Sequence, residues 1–305
     1  MKGAIAAAFL AAAAAACTSP ANPGVAGTSA VQLPNVPGTV YTIVFENENV
    51  ENILDVLPYF TELAANNSQA SAYTSQTHPS LPNYIEMTSG STRGITNDND
   101  PRYNVQIGGT DNLADQLDAA NIPWRAYMQS MGEPCTIDSH GDYSAHHNPF
   151  LYYTTMRADP VRCANSNVDF DAHFTEDLAS NNYRFMWITP NLCNDMHNCD
   201  GMTGDAWLRT VATQIMQSPG YINGGALFIL FDEGNTRYLK AGANLATIVA
   251  SPNLTEAGYI SDTAFDHASY LATVEDIFRM PRLSTTKAST SMDEHFKVVT
   301  ETTAP

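Results

Sequence analysis

Glu46-Asn47, Asp232-Glu233-Gly234 and the segment Pro190-Asn-Leu-Cys-Asn-Asp195-Met-His197 each follow a short apolar run of the chain. Carboxylates, an amide and a histidine drawn from three such places are the donors that an oxygen-rich divalent cation site requires. Each alone has a plainer reading, Asp232-Glu233 as a solvated acidic turn and Asn47 as a turn residue. Because Asp232-Glu233 stands at the end of an apolar run and is followed by glycine, the pair is expected to face a crevice at a strand end. Glu46 is read in the same way.

Thr77-His78-Pro79-Ser80-Leu81-Pro82-Asn83-Tyr84 is the most informative segment. Two prolines bracket Ser80, fixing φ at their own positions and restricting the residues before them, so its hydroxyl is expected in a rigid turn. A serine oxygen bound to a divalent cation has a lowered pKa and can act as a nucleophile without a histidine base. Composition alone favours a proline-rich surface turn.

The elements that would position these residues are legible as apolar runs. Val40–Phe45, Phe185–Thr189, Ala226–Phe231 and Leu245–Ala250 are nearly continuous and rich in β-favouring residues, the pattern of a parallel sheet covered on both faces. Helical spacing is expected over Asp111–Asn121, behind a Thr110/Asp111 cap, and over Asp205–Gln217 and Ala268–Arg279. The alternation predicts an α/β fold with a doubly wound, mostly parallel central sheet flanked by helices. In such folds ligands bind beyond the carboxyl ends of the strands, where the carboxylates above are found.

Fourteen Lys and Arg against 32 Asp and Glu give a formal charge of −18. That balance argues against nucleic-acid binding, which draws its affinity from basic side chains on phosphates. It also repels anionic substrates, so a phosphate site would have to be made locally positive by a cation and protonated histidines. Met1-Lys2-Gly3 and the apolar run Ala4–Ala16 read as an export signal over residues 1–17, too short for a membrane span. Cys17 follows Ala14-Ala15-Ala16, so a lipid anchor there and ordinary cleavage both stand as readings. Residues 18–37, rich in Pro, Gly, Ser, Ala and Asn, are expected as a flexible tether, and 38–305 as one domain. In an oxidising compartment the four remaining cysteines are expected to pair as Cys193–Cys199 and Cys135–Cys163 on proximity; a zinc site is the rival reading.

Taken in order, Glu46-Asn47, Thr77 to Tyr84 with Thr88-Ser-Gly90, Trp124-Arg-Ala-Tyr127, His146-His147-Asn-Pro-Phe150, Asn191 to His197, Phe231 to Gly234 and Asp266-His267-Ala-Ser269 form a series. This series resembles the acid phosphatase/phospholipase C phosphoesterase family, of alkaline-phosphatase-like fold, over residues 40–280. The resemblance implies a metal-dependent phosphoric ester hydrolase with Ser80 as nucleophile and a phosphoserine intermediate. It implies one divalent cation, of a kind the sequence does not specify, held by Glu46, Asn47, Ser80, Asp232 and Glu233. His78, His147, His197 and His267 would supply positive charge or protonate the leaving group. Asp195, His197 and His267 match further metal ligands of two-metal relatives, but Asp195-x-His197 is more tightly spaced than their pattern and Glu233 stands where they have histidine.

The expected substrate is a small phosphomonoester. A lipid-cleaving enzyme needs an apolar or basic surface to hold the membrane, and this acidic chain shows no amphipathic basic helix. A phospholipase C-type phosphodiesterase and a non-catalytic metal-binding surface protein on the same fold are the alternatives. Membrane contact is expected only through the anchor at Cys17.

Overall fold

The computed structural model describes Met1 and residues 30–235 and 244–302. The export signal with Cys17, and residues 18–29 of the expected tether, lie outside the described residues. The last part of that tether is ordered: β1 (Ala30–Pro34) pairs antiparallel with β12 (Val298–Thr302). A second ribbon pairs β4 (Tyr73–Thr74) with β11 (Phe265–Asp266) in parallel.

The central sheet has eight strands. Their order is β10 (Tyr259–Ser261), β3 (Ser68–Ala70), β9 (Ile248–Ala250), β8 (Ala226–Phe231), β2 (Val40–Phe45), β7 (Phe185–Thr189), β5 (Trp124–Met128) and β6 (Asn167–Asp169). β2, β7 and β8 are buried at every position, as strands covered on both faces must be. Neighbouring residues of a strand face opposite ways, and β2 shows it. Thr42 meets the Tyr270 hydroxyl at 2.6 Å on one face, while the Tyr41 hydroxyl meets Ser218 at 2.9 Å on the other.

The parallel expectation fails at one strand. The run at 245–250 is a strand only over Ile248–Ala250, and it lies antiparallel to both β3 and β8. Leu245 bridges Asn49, just beyond β2, so the chain returns from the carboxyl end of the sheet and β9 must run backwards.

Helices α1 (Val50–Ile53), α2 (Pro58–Asn66), α3 (Ser80–Ser89), α4 (Leu113–Ala119), α5 (Thr154–Arg157), α6 (Pro160–Ser166), α7 (Phe170–Ser180), α8 (Gly201–Gln217), α9 (Pro219–Ile222) and α10 (His267–Ile277) connect the strands. α3, α4 and α10 pack together on the face of Thr42, and α2, α7, α8 and α9 on the face of Tyr41. Phe45 joins β2 to the second layer through edge contacts with Phe60 of α2 and Trp207 of α8, ring centroids 5.3 and 6.0 Å apart. Complete burial of such a side chain contributes roughly 1.5–3 kcal/mol.

Helix starts are set by caps that the apolar spacing alone mislocated. Asn112, not Thr110 or Asp111, caps α4 by accepting from the Asp115 N–H, and Asp200 caps α8, whose first residue Gly201 lies four residues before the expected start at Asp205. Asp266 caps α10 through the Ser269 N–H at 2.8 Å. Among the described residues no helix is long and apolar enough to cross a membrane.

Candidate active site

β2 and β8 are parallel neighbours with Phe45 opposite Phe231. Glu46 and Asp232 therefore leave the sheet side by side. The Asp232 N–H donates to the Phe45 carbonyl at 3.0 Å, and the Glu46 N–H to the Asp195 carbonyl at 3.0 Å, so the loop after β7 joins the same cluster. Asn47 turns the chain at φ 48°, a left-handed conformation that asparagine tolerates, and its N–H donates to Asp232 Oδ1 at 3.2 Å. The loop after β7 is clamped by the Cys193–Cys199 disulfide, and the Cys135–Cys163 bridge also forms. Within the clamp, Asp195 Oδ1 accepts from the His197 N–H at 2.8 Å.

Ser80 does not sit in an isolated turn. It is the first residue of α3, with Pro79 in extended conformation at the cap and Pro82 within the first turn, where proline's missing N–H costs nothing. Pro79 offers no side-chain cap. Asp98, from a separate loop, takes that role by accepting from the Leu81 N–H at 2.9 Å. Gly90 ends the helix at φ 69°, its N–H on the Glu86 carbonyl, in the left-handed closure glycine favours.

So placed, the Ser80 hydroxyl donates to Glu46 Oε2 at 2.9 Å and lies 3.4 Å from Glu233 Oε1. One helical turn later the Tyr84 hydroxyl donates to Glu46 Oε1 at 2.6 Å. Asn83 donates to Glu233 Oε2 at 3.3 Å, and His78 Nδ1 lies 2.7 Å from the same oxygen.

Glu46, Asp195, Asp232 and Glu233 are all buried. Burial, followed by repulsion from Asp232 and Asp195, pushes the Glu46 carboxyl well up; burial takes Asp195 and Asp232 to about 7; burial and Asp232 take Glu233 to about 9. Such a cluster holds its charge only with a counter-charge among it.

Two of the expected histidines, His147 and His267, do not provide that counter-charge. His147 is 1% exposed, with Nε2 3.4 Å from Glu46 Oε1 and Nδ1 3.5 Å from Asp195 Oδ2. Burial and His197 nevertheless push its pKa down to about 3, so it is a neutral ring that can donate an N–H. His267 is pushed down to about 4 by burial. Its Nε2 donates to the Asp232 carbonyl at 2.6 Å, and its Nδ1 pairs with the Tyr73 hydroxyl at 3.0 Å. With both nitrogens engaged, His267 fixes the backbone at Asp232 and has none left for a substrate. His197 is exposed, 6.0 Å from the His147 ring centroid, with Nδ1 against Asn198 Oδ1 at 2.8 Å.

A divalent cation fits these residues. Asn47 Oδ1 and Asp232 Oδ2 are buried with no hydrogen-bond partner among the described residues, beside the Ser80 oxygen and the carboxylates of Glu46 and Glu233. Hard oxygen donors of this kind suit Mg, Ca or Mn, among others. A second set, Glu46, His147 and Asp195, brings three ligand atoms within 4.8 Å of one another, and Glu46 is common to both sets. Sequence reasoning gave no role to Tyr84, Asn83 or Asp98. Tyr84 follows Ser80 by four residues, a spacing that would place it on the same face had the segment been read as a helix.

Residues 54–281 match the phosphoesterase family. The chain is 28% identical over 217 residues to an acid phosphatase of Aspergillus fumigatus, covering 68% of this chain and 47% of the relative. It is 26% identical over 220 residues to a phosphate-repressible acid phosphatase of Penicillium chrysogenum, 69% of this chain and 52% of that one. The chain thus spans about half the length of these fungal relatives. A phosphatidylinositol-3-phosphatase of Mycobacterium tuberculosis is 26% identical over 261 residues, 84% of this chain and 81% of the relative. Among solved structures, an alkaline phosphatase superfamily protein from Vibrio parahaemolyticus superposes with TM-score 0.56 at 9% identity, covering 84% of this chain and 70% of that one. A putative sulfatase from Bacteroides thetaiotaomicron gives 0.58 at 11%, covering 84% and 74%. These two likenesses establish the alkaline-phosphatase-like fold.

Proposed function

The chain belongs to the phosphoesterase family, and we propose that it is a metal-dependent phosphatase acting on phosphomonoesters, with Ser80 as nucleophile. The observation that carries this reading is the Ser80 hydroxyl at the start of α3, 2.9 Å from Glu46 Oε2 and 3.4 Å from Glu233 Oε1 in a buried carboxylate cluster. Glu46, Asn47, Ser80, Asp232 and Glu233 would hold the cation. When bound, it would lower the pKa of the serine hydroxyl and offset charge on a phosphoryl oxygen.

Ser80 Oγ, having given up its proton to water, attacks phosphorus in line, and the bond from phosphorus to the ester oxygen breaks, leaving a phosphoserine. His197, which is exposed, would protonate the departing oxygen, and the His147 N–H would donate to a phosphoryl oxygen. Water then attacks phosphorus, the bond to Ser80 Oγ breaks with a proton from that water restoring the serine hydroxyl, and phosphate leaves. His78 holds Glu233 and His267 holds the Asp232 backbone while this happens.

The acidic chain favours small, soluble phosphomonoesters. A lipid-borne phosphomonoester is a second reading, because the relative that matches over most of its own length is named a phosphatidylinositol-3-phosphatase. The two disulfides fit an exported protein.

Ser80→Ala, assayed on an aryl phosphate and on dispersed phosphatidylinositol 3-phosphate beside the wild type, tests the reading. Loss of turnover on both with an unchanged circular dichroism spectrum is expected. Activity within about tenfold of wild type, roughly 1.4 kcal/mol of barrier, is too small a loss for a covalent nucleophile and overturns the assignment.

A further inference from the structure

The two oxygens of Glu46 are held by different residues of one helix. Oε2 accepts from Ser80 at 2.9 Å and Oε1 from Tyr84 at 2.6 Å. His147 approaches the same Oε1, with Nε2 at 3.4 Å, and its ring is stacked on that of Tyr84 at 5.2 Å with planes 7° apart. Tyr84 is fully buried and its ring also packs on Trp187 at 6.4 Å. Its hydroxyl therefore has one fixed direction, toward Glu46.

This matters because Glu46 is shared by two donor sets. The set around Ser80 uses the oxygen beside the serine. The set with His147 and Asp195 needs the oxygen beside His147, which is the one that Tyr84 already binds. A carboxylate oxygen engaged by a short phenol hydrogen bond is a poorer ligand, and its partner oxygen is turned toward Ser80. Groups that hydrogen-bond a metal ligand orient it in this way, and losing one typically costs 10–100-fold in metal affinity.

We propose that Tyr84 is a positioning residue that directs Glu46 Oε2 onto the cation beside Ser80 and keeps the cation out of the Glu46–His147–Asp195 set. The inference rests on the reading of Glu46 as a cation ligand. It adds a residue whose only polar atom acts through another.

The test is Tyr84→Phe, which keeps the ring against His147 and Trp187 and removes one hydroxyl. Titration of the chelator-treated proteins with Mn²⁺ by calorimetry should show the dissociation constant raised at least about tenfold. At saturating Mn²⁺, kcat on an aryl phosphate should fall while KM stays the same. A folded variant that binds Mn²⁺ as tightly as wild type overturns the inference and leaves the reading of the site intact. Wild type that takes up no Mn²⁺ overturns both. A crystal structure of Mn²⁺-loaded wild type decides the question even where the variant does not fold. Expected is Glu46 Oε2 on the metal and Oε1 on Tyr84. Both Glu46 oxygens on the metal, or the metal between His147 and Asp195, refutes the proposal.

Discussion

Glu86 lies inside α3, six residues after Ser80, and is 6% exposed, its Oε2 without a hydrogen-bond partner among the described residues. Burial, and then the charge of Asp266, raise its carboxyl from 4.5 to about 8. Asp266 cannot move away, because it caps α10 and accepts from Gln76 Nε2 at 3.0 Å. A carboxyl whose pKa is raised by folding binds its proton more tightly in the folded state. Its contribution is therefore complete below the unfolded value near 4.5 and is lost as pH rises through about 8. At about 1.4 kcal/mol per pKa unit, the loss between pH 5 and pH 8 comes to about 3 kcal/mol. Glu86→Gln removes the titration and keeps the shape. Urea unfolding of both proteins across that pH range should show the glutamine variant gaining on wild type by about 3 kcal/mol. Titrations of the other buried carboxylates are common to both proteins and cancel in the difference. A gap between the two that does not change with pH would refute the reasoning, since a group that ionises equally in both states gives no slope.

Asp195 and Asp232 at about 7 and Glu233 at about 9 have the same sign, so chelator-treated protein should lose stability as pH rises through neutrality. The rise in Tm on adding Mn²⁺ should be larger at pH 8 than at pH 5, because the metal replaces protons; an equal rise at both in a thermal scan counts against Asp232 and Glu233 as ligands. Replacing Cys193 and Cys199 by serine opens a loop with a sequence separation of 6 and should cost roughly 2 kcal/mol of global stability. Mn²⁺ affinity and turnover should suffer more, because the Asp195 carbonyl inside the loop holds the Glu46 N–H at 3.0 Å; calorimetry showing wild-type affinity would refute a role for the clamp in positioning Glu46.

What was legible in the sequence follows how local each signal is. The runs Val40–Phe45, Phe185–Thr189 and Ala226–Phe231 became strands with those bounds, because an apolar stretch buried on both faces has few alternatives. Glu46 and Asp232 were readable from their place at the ends of two such runs. The direction of β9 was not, since it depends on where the chain comes back after β8 rather than on the residues of Ile248–Ala250. Ser80 was found, but as part of a turn, because the helical character of Ser80–Ser89 is masked by Pro82 and by a cap that comes from Asp98. The protonated histidines were expected from the acidic composition, and burial, which no single sequence displays, reversed that expectation for His147 and His267.

That reversal narrows where the attraction for a phosphate can come from in a chain of charge −18. A helix N-terminus is one source, through its free N–H groups. In α3 the Leu81 N–H is already taken by Asp98 and Pro82 has none, so most of the first turn is spent. Buried histidines are a second source, but His147 is neutral and His267 is fully engaged. The carboxylate cluster itself, with unpartnered oxygens on Asn47 and Asp232, presents lone pairs that would repel a phosphate outright. Such a wall attracts an anion only through a cation held between them. The carboxylates that make the protein acidic are, at this one place, the means by which it could hold a negative substrate.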